Sequence, residues 1–191
     1  TRAVNRLAAE PRSLQSGDPL RNSTYARAMN DTNISSEEFR SACGLWASGV
    51  SIVTTSDQNG APYGLTMNSV TSLSLDPPLY LVNVDNGSDT LAPMLATRSF
   101  CINVLTTAQQ ELSNSFAKKG KGKFAGVEYT PGSTGVPRLD GCLMTIECRI
   151  SAVHPGGDHQ IVVGEVIEIV SAEVDARPLL YFGGRYANVA E

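Results

Sequence analysis

The sequence predicts a mainly β protein: an antiparallel barrel with short helices at its periphery. Three observations carry this. Runs of strand length rich in β-branched and apolar residues recur at residues 50–55, 79–84, 99–105, 142–154 and 160–170. Two hairpin signals, Asp57-Gln58-Asn59-Gly60 and Pro155-Gly156-Gly157-Asp158, separate neighbouring runs. Helical patterns are few and short and do not alternate regularly with strands, which disfavours a doubly wound parallel sheet. Closing an antiparallel sheet removes its edges, so a barrel is the better solution.

Taken in order, residues 1–34 are rich in Arg, Asn, Ser, Pro and Ala without periodicity and read as a poorly ordered or draped extension. Residues 35–191 then form one domain, a length sufficient for a full core. Ser35-Ser36-Glu37-Glu38 matches a capping box, and Phe39, Cys43 and Trp46 follow at helical spacing, predicting a short amphipathic helix. After the 50–55 strand and the Asn-Gly turn, the stretch from Gly64 to Thr90, GLTMNSVTSLSLDPPLYLVNVDNGSDT, dominates the chain. Pro77 and Pro78 cannot donate to a ladder and belong at an edge or a crossing between strands. Ser88 or Asp89 can cap a helix running to about Thr97. Thr107-Ala108-Gln109-Gln110 reads as a second capping box, opening a helix to about Ala117. Residues 130–141 are turn-rich, and residues 178–186 form an aromatic, glycine-containing tail.

Composition excludes several classes. A net charge of −4 argues against a general nucleic-acid binder. No apolar run approaches the roughly 20 residues of a membrane helix, and the start of the chain lacks a signal-peptide core. Cys43, Cys101, Cys142 and Cys148 contain no Cys-x-x-Cys pair, so buried thiols in a reducing cytoplasm are expected rather than disulfides or zinc.

The polar residues Thr66, Asn68, Ser69, Thr71, Ser72 and Ser74 are crowded beside a strand. Buried without partners, each would cost a few kcal/mol, so water, backbone or a polar ligand must satisfy them. Ser88-Asp89-Thr90 lies where a strand feeds a helix; alone it reads as a plain N-cap, and beside the polar run from Thr66 to Ser74 it gains as a phosphate site. Lys118, Lys119, Lys121 and Lys123 form a cationic loop that suits an anionic ligand or a solvated helix end. The loose G-x-G-x-x-A match at Gly120 to Ala125 follows a helix and is rejected as a dinucleotide fingerprint. His154 and His159 flank the second hairpin turn, where Asp158 either orients His159 or is ordinary turn chemistry. No third ligand supports a metal, and no Gly-x-Ser-x-Gly supports a serine nucleophile.

Five segments in one order resemble the short-chain flavin reductases, the small NAD(P)H-dependent components of two-component flavin monooxygenases. They are the stretch from Gly64 to Thr90, FCINVLTTAQQELSNSFA, KGKFAGVEY, GDHQIVVGEV and PLLYFGGRY. The resemblance covers about residues 36–186 and implies an antiparallel split β-barrel of the FMN-binding type. It implies a homodimer with each site near the subunit interface, and FMN or FAD with NADH or NADPH as co-substrate. By resemblance, Thr66, Asn68 and Ser69 face the isoalloxazine and ribityl groups, and Ser72 lies near the same ring. Asp85 lies along the ribityl chain, and Ser88 and Thr90 meet the phosphate. Lys123 and Phe124 stand where the family commonly has Arg-Phe; lysine keeps the charge without the bidentate fork. Asp158 and His159 match a Gly-Asp-His on the nicotinamide side, with His159 as the catalytic residue, and Tyr181 and Tyr186 match the aromatic tail near the site. The implied activity is hydride transfer from NADH to flavin, with reduced flavin supplied to a separate monooxygenase in the cytoplasm. The same fold with another acceptor, such as a corrin precursor, and a flavin-storage module are the alternatives.

Overall fold

The computed structural model describes residues 34–120, 122–171 and 176–189, so nearly all of the expected N-terminal extension lies outside the described residues. The chain divides into two units, Thr1–Phe39 and Arg40–Glu191. In the first, the expected capping box is present. Glu38 N–H donates to Ser35 Oγ at 3.1 Å, and Ser35 N–H donates back to Glu38 Oε2 at 2.8 Å. Those bonds hold the Glu38 carboxyl below its ordinary value. Helix α1 spans Ser36–Gly44 and buries none of its residues. The expected amphipathic face is therefore corrected: Phe39 is 64% exposed, and Trp46, 81% exposed, falls beyond the helix.

The larger unit holds β1 (Ser48–Gly49), β2 (Ser51–Ser56), β3 (Pro62–Met67), β4 (Val70–Leu75) and β5 (Pro78–Asp85). Helix α2 (Leu91–Thr97), β6 (Ser99–Val104), a 3-10 turn (Thr107–Gln109) and helix α3 (Gln110–Ala117) follow. Then come β7 (Tyr129–Pro131), β8 (Pro137–Leu139), the long pair β9 (Met144–Gly156) and β10 (His159–Ser171), and a closing hairpin of β11 (Leu180–Phe182) and β12 (Arg185–Ala187).

Seven strands form one antiparallel sheet in the order β3-β2-β6-β9-β10-β5-β4. Its two edge strands are consecutive in the chain, joined only by Asn68 and Ser69. A flat sheet would hold those edges about 28 Å apart at ~4.7 Å per strand spacing. Three Cα steps reach at most about 11 Å. The sheet must roll until β3 and β4 converge, yet no ladder joins them. A register shift between Ser72 and Ser74 bends β4, and Pro62 has no N–H to offer. The barrel is split, as the resemblance implies, where strand counting alone expects closure.

Val53, Val82, Phe100, Ile102, Ile146 and Val162 fill the interior, and Leu91 and Met94 of α2 pack into it. On the outer face Ile52, Leu105, Phe116, Leu139 and Leu179 form a second cluster beneath α3 and the closing hairpin. β10 pairs with β5 only as far as Glu165, so its far half has one open edge, with Ile167, Ile169 and Val170 exposed.

Local expectations fare unevenly. Both hairpins form, and Gly157 takes φ +72°, the left-handed region its two-residue turn demands. The second capping box lies one residue earlier than expected, with Thr106 and Gln109 as its partners. The cap of α2 is Thr90 and makes no side-chain bond to the helix. All four cysteines are free thiols; Cys101, Cys142 and Cys148 are buried as expected, but Cys43 is exposed because α1 buries nothing.

Candidate active site

Strand β3 presents Gly64 and Thr66 on one face, and α3 lies against it. Thr66 Oγ1 donates to the Ser113 carbonyl at 2.6 Å. A Cβ at Gly64 would stand 2.9 Å from the Phe116 ring, so glycine sets how closely the helix approaches. Ser113 Oγ and Tyr186 OH are 2.9 Å apart, and Tyr186 OH donates to Asn114 Oδ1 at 3.0 Å, tying the closing hairpin to the same helix. Thr66 has thus committed its proton and offers a ligand only an acceptor.

Lys123 is drawn to this strand. Its ammonium donates to the Gly64 carbonyl at 3.1 Å and to the Phe116 carbonyl at 3.4 Å, and lies 3.8 Å from Asp89 Oδ1. Only 11% of its side chain is exposed. Phe124 is held edge-on between Phe116 at 4.9 Å and Tyr129 at 5.5 Å. Ser88 Oγ accepts the Thr90 N–H at 3.2 Å, while Thr90 is fully buried with its hydroxyl 3.4 Å from Asp89. Asn68 and Ser72 are exposed at the split, and half-buried Ser69 donates to the Asn83 carbonyl at 3.2 Å.

A second group sits at the same end of the barrel as Asn68. Asp85 and His159 are register partners across β5 and β10. Asp158 Oδ1 is 2.7 Å from His159 Nδ1, and this hydrogen bond, then the imidazole charge, lowers the Asp158 carboxyl below its ordinary value. Asn86 clamps the two turns together. Its N–H donates to the Asp158 carbonyl at 2.9 Å and its amide to the Gly157 carbonyl at 3.4 Å, while Gln160 donates to its Oδ1 at 2.8 Å.

The structure therefore gathers Thr66, Lys123, Phe124 and Tyr186 around α3, with Ser88 and Thr90 joined to them through Asp89. Asp85, Asp158 and His159 form the other group. From the sequence Asp89 stands out as a cap candidate and as part of the Ser88-Asp89-Thr90 motif, while nothing local singles out Ser113, Asn114, Asn86 or Gln160. Their bonds cross 71 to 74 positions, which no local pattern announces. Between the start of β3 and the glycine-rich loop opens a cavity of about 450 Å³, lined by Pro62, Tyr63, Gly64, Lys123, Phe124 and Ala125. Among the described residues no His, Cys, Asp and Glu cluster could hold a metal ion.

Edge strands leave unpaired N–H and C=O groups, and here two such edges converge beside exposed hydroxyl and amide side chains with a cation further along β3. That donor set fits a flat heteroaromatic ring carrying a phosphate. Comparison with known sequences decides the family, since the flavin reductase-like domain profile matches residues 43–190. The chain belongs to the flavin reductase-like family. It is 37% identical over 152 residues to the flavin-dependent monooxygenase reductase subunit HsaB of Mycobacterium tuberculosis, covering 79% of this chain and 81% of that one. Component B of nitrilotriacetate monooxygenase from Mycobacterium thermoresistibile superposes with a TM-score of 0.78 at 36% identity, over 86% of this chain and 89% of that one. The NADH:FAD oxidoreductase SgcE6 of Streptomyces globisporus gives 0.76 at 32%, over 81% and 93%. As a flavin reductase-like protein, this chain shares the split barrel of those neighbours, and the groups around α3 and at the Asp158 turn lie within the matched span.

Proposed function

We propose that this protein is an NADH-dependent flavin reductase that reduces FMN or FAD and supplies the reduced flavin to a separate monooxygenase component. The observation that carries the reading is the split: two open sheet edges converging at Asn68 and Ser69, with Lys123 along β3 and the Asp158–His159 pair at the ring end. A bound flavin supplies the hydride-accepting ring and places negative charge on its pyrimidine edge when reduced. Open-edge N–H groups with the Asn68 and Ser72 side chains are oriented to donate to that charge, while Ser69, its proton given to the Asn83 carbonyl, offers an acceptor. Lys123, with the Ser88 and Thr90 turn, answers the phosphate, and Asp85 the ribityl hydroxyls. Asp158 fixes His159 through Nδ1, leaving Nε2 for the nicotinamide carboxamide. Such a reaction demands alignment of two rings rather than a protein nucleophile.

The reading extends to a homodimer, supported by apolar residues left in water: Leu75 at 96% exposure, Ile169 at 55% and Trp46 at 81%. A cytoplasmic setting is supported by the four free thiols. The purified protein is expected to oxidise NADH when either FMN or FAD is added. No oxidation above the uncatalysed rate with either flavin refutes the reading. His159→Ala is expected to raise the KM for NADH far more than the Kd for flavin.

A further inference from the structure

We propose that the cavity beside Lys123 is an adenosine subsite and that the preferred flavin is FAD. This rests on the flavin reductase reading above and deepens it. Strand β3 serves as a ruler. The ring-facing residues begin at Asn68; Gly64, whose carbonyl holds Lys123, lies roughly 13 Å back along the strand at ~3.3 Å per residue. That span uses up a flavin mononucleotide, from its ring to its phosphate. The cavity of about 450 Å³ begins at the Lys123–Asp89 pair and continues past Gly64 to Tyr63, Pro62 and Ala61. Its volume falls within the roughly 300–1,000 Å³ of small-molecule sites. FMN stops at its entrance.

The walls suit a nucleoside. Pro62, Tyr63 and Ala125 give flat apolar surface, and Phe124 is fixed by two edge-on aromatic contacts. Asp89 has 41% of its side chain exposed, and its contacts to Lys123, Thr90 and the Gly120 N–H are all 3.4 Å or longer. It retains acceptor capacity for ribose hydroxyls. NADH carries adenosine too. The Asp158–His159 pair, however, lies at the Asn68 end of β3, the opposite end from Pro62, because β10 starts opposite Asp85. Contiguity with Lys123 favours the flavin's adenosine over the nicotinamide's.

The test titrates the flavin-free protein with FAD, FMN and riboflavin by fluorescence quenching, and measures the KM for NADH. FAD is expected to bind at least about tenfold more tightly than FMN. Ala61→Trp and Ala125→Trp, at two exposed positions on different walls, are each expected to weaken FAD about tenfold while moving FMN less than about twofold. Using both keeps the test decisive where one variant fails to fold. Equal FAD and FMN affinity in the unaltered protein, or equal loss of both in the variants, overturns the inference. A raised KM for NADH with unchanged FAD affinity also overturns it and assigns the cavity to the nicotinamide dinucleotide. Turnover with both flavins at equal affinity would leave the reductase reading standing; absence of any flavin binding would remove both.

Discussion

Glu147→Gln tests whether the loop between β7 and β8 is built on a buried carboxylate. Glu147 of β9 is 1% exposed and is wrapped by the loop between β7 and β8. Its Oε1 accepts from Thr134 N–H and Thr134 Oγ1 at 2.6 Å each and from Ser133 Oγ at 3.1 Å, and its Oε2 from Ser133 N–H at 2.9 Å. Glutamine can keep three of these with a neutral acceptor, but its NH₂ must meet the Ser133 N–H, donor against donor. Hydrogen bonds to charged groups are worth about 1.5–3 kcal/mol against about 0.5–1.5 for neutral ones, and an orphaned buried donor costs about 1–3. Removing a buried charge returns part of that, leaving a net loss of about 3–5 kcal/mol. With a urea slope of ~2–3 kcal/mol/M, the midpoint should fall by about 1–2.5 M. Burial alone raises the Glu147 carboxyl, but the Thr134 and Ser133 bonds outweigh it and hold it below its ordinary value. A carboxyl lowered by folding adds stability above its unfolded value, about 4.3, and that share is lost as pH falls through the folded value. Wild type and variant should therefore differ most at neutral pH and converge in acid. Equal midpoints at neutral pH, or a gap that ignores pH, refutes the account.

Lys123→Ala should weaken FMN about tenfold or more and riboflavin, which lacks phosphate, by less than about twofold; equal losses in a binding titration would detach Lys123 from the phosphate. Asn86→Ala releases the turn carrying Asp158 and should raise the KM for NADH several-fold with little change in flavin Kd, which steady-state kinetics beside a flavin titration resolves. Gly164→Ala would place a Cβ 2.6 Å from Phe100 Cζ and 2.7 Å from Cys148 Cβ. Overpacking of that kind costs about 1–3 kcal/mol, read as a lowered Tm with unchanged flavin specificity.

The hairpins were legible because their turns are set locally: Asp57 Oδ1 accepts the N–H groups of Asn59 and Ala61 at 2.8 and 2.9 Å, an arrangement its own neighbours dictate. The polar run from Thr66 to Ser74 was legible as unusual but not as parts of two strands, β3 and β4. Which sheet edge each half joins depends on β2 and β5, and a period of two carries no information about partners. The polar run is explained by that placement, since Thr71 and Ser72 sit exposed on an edge strand. Lys123 was visible as charge in a loop, whereas its bond to the Gly64 carbonyl crosses 59 positions. Resemblance supplied residue types; packing supplied their partners.

The two-residue link at Asn68 and Ser69 also sets how the seam between β3 and β4 can move. Tethered at that end, the two strands can part only as the blades of scissors do, with the pivot at Asn68 and the gape toward Pro62. Lengthening the link by a few residues would free the pivot without breaking a single rung of either ladder, turning an angular opening into a parallel one.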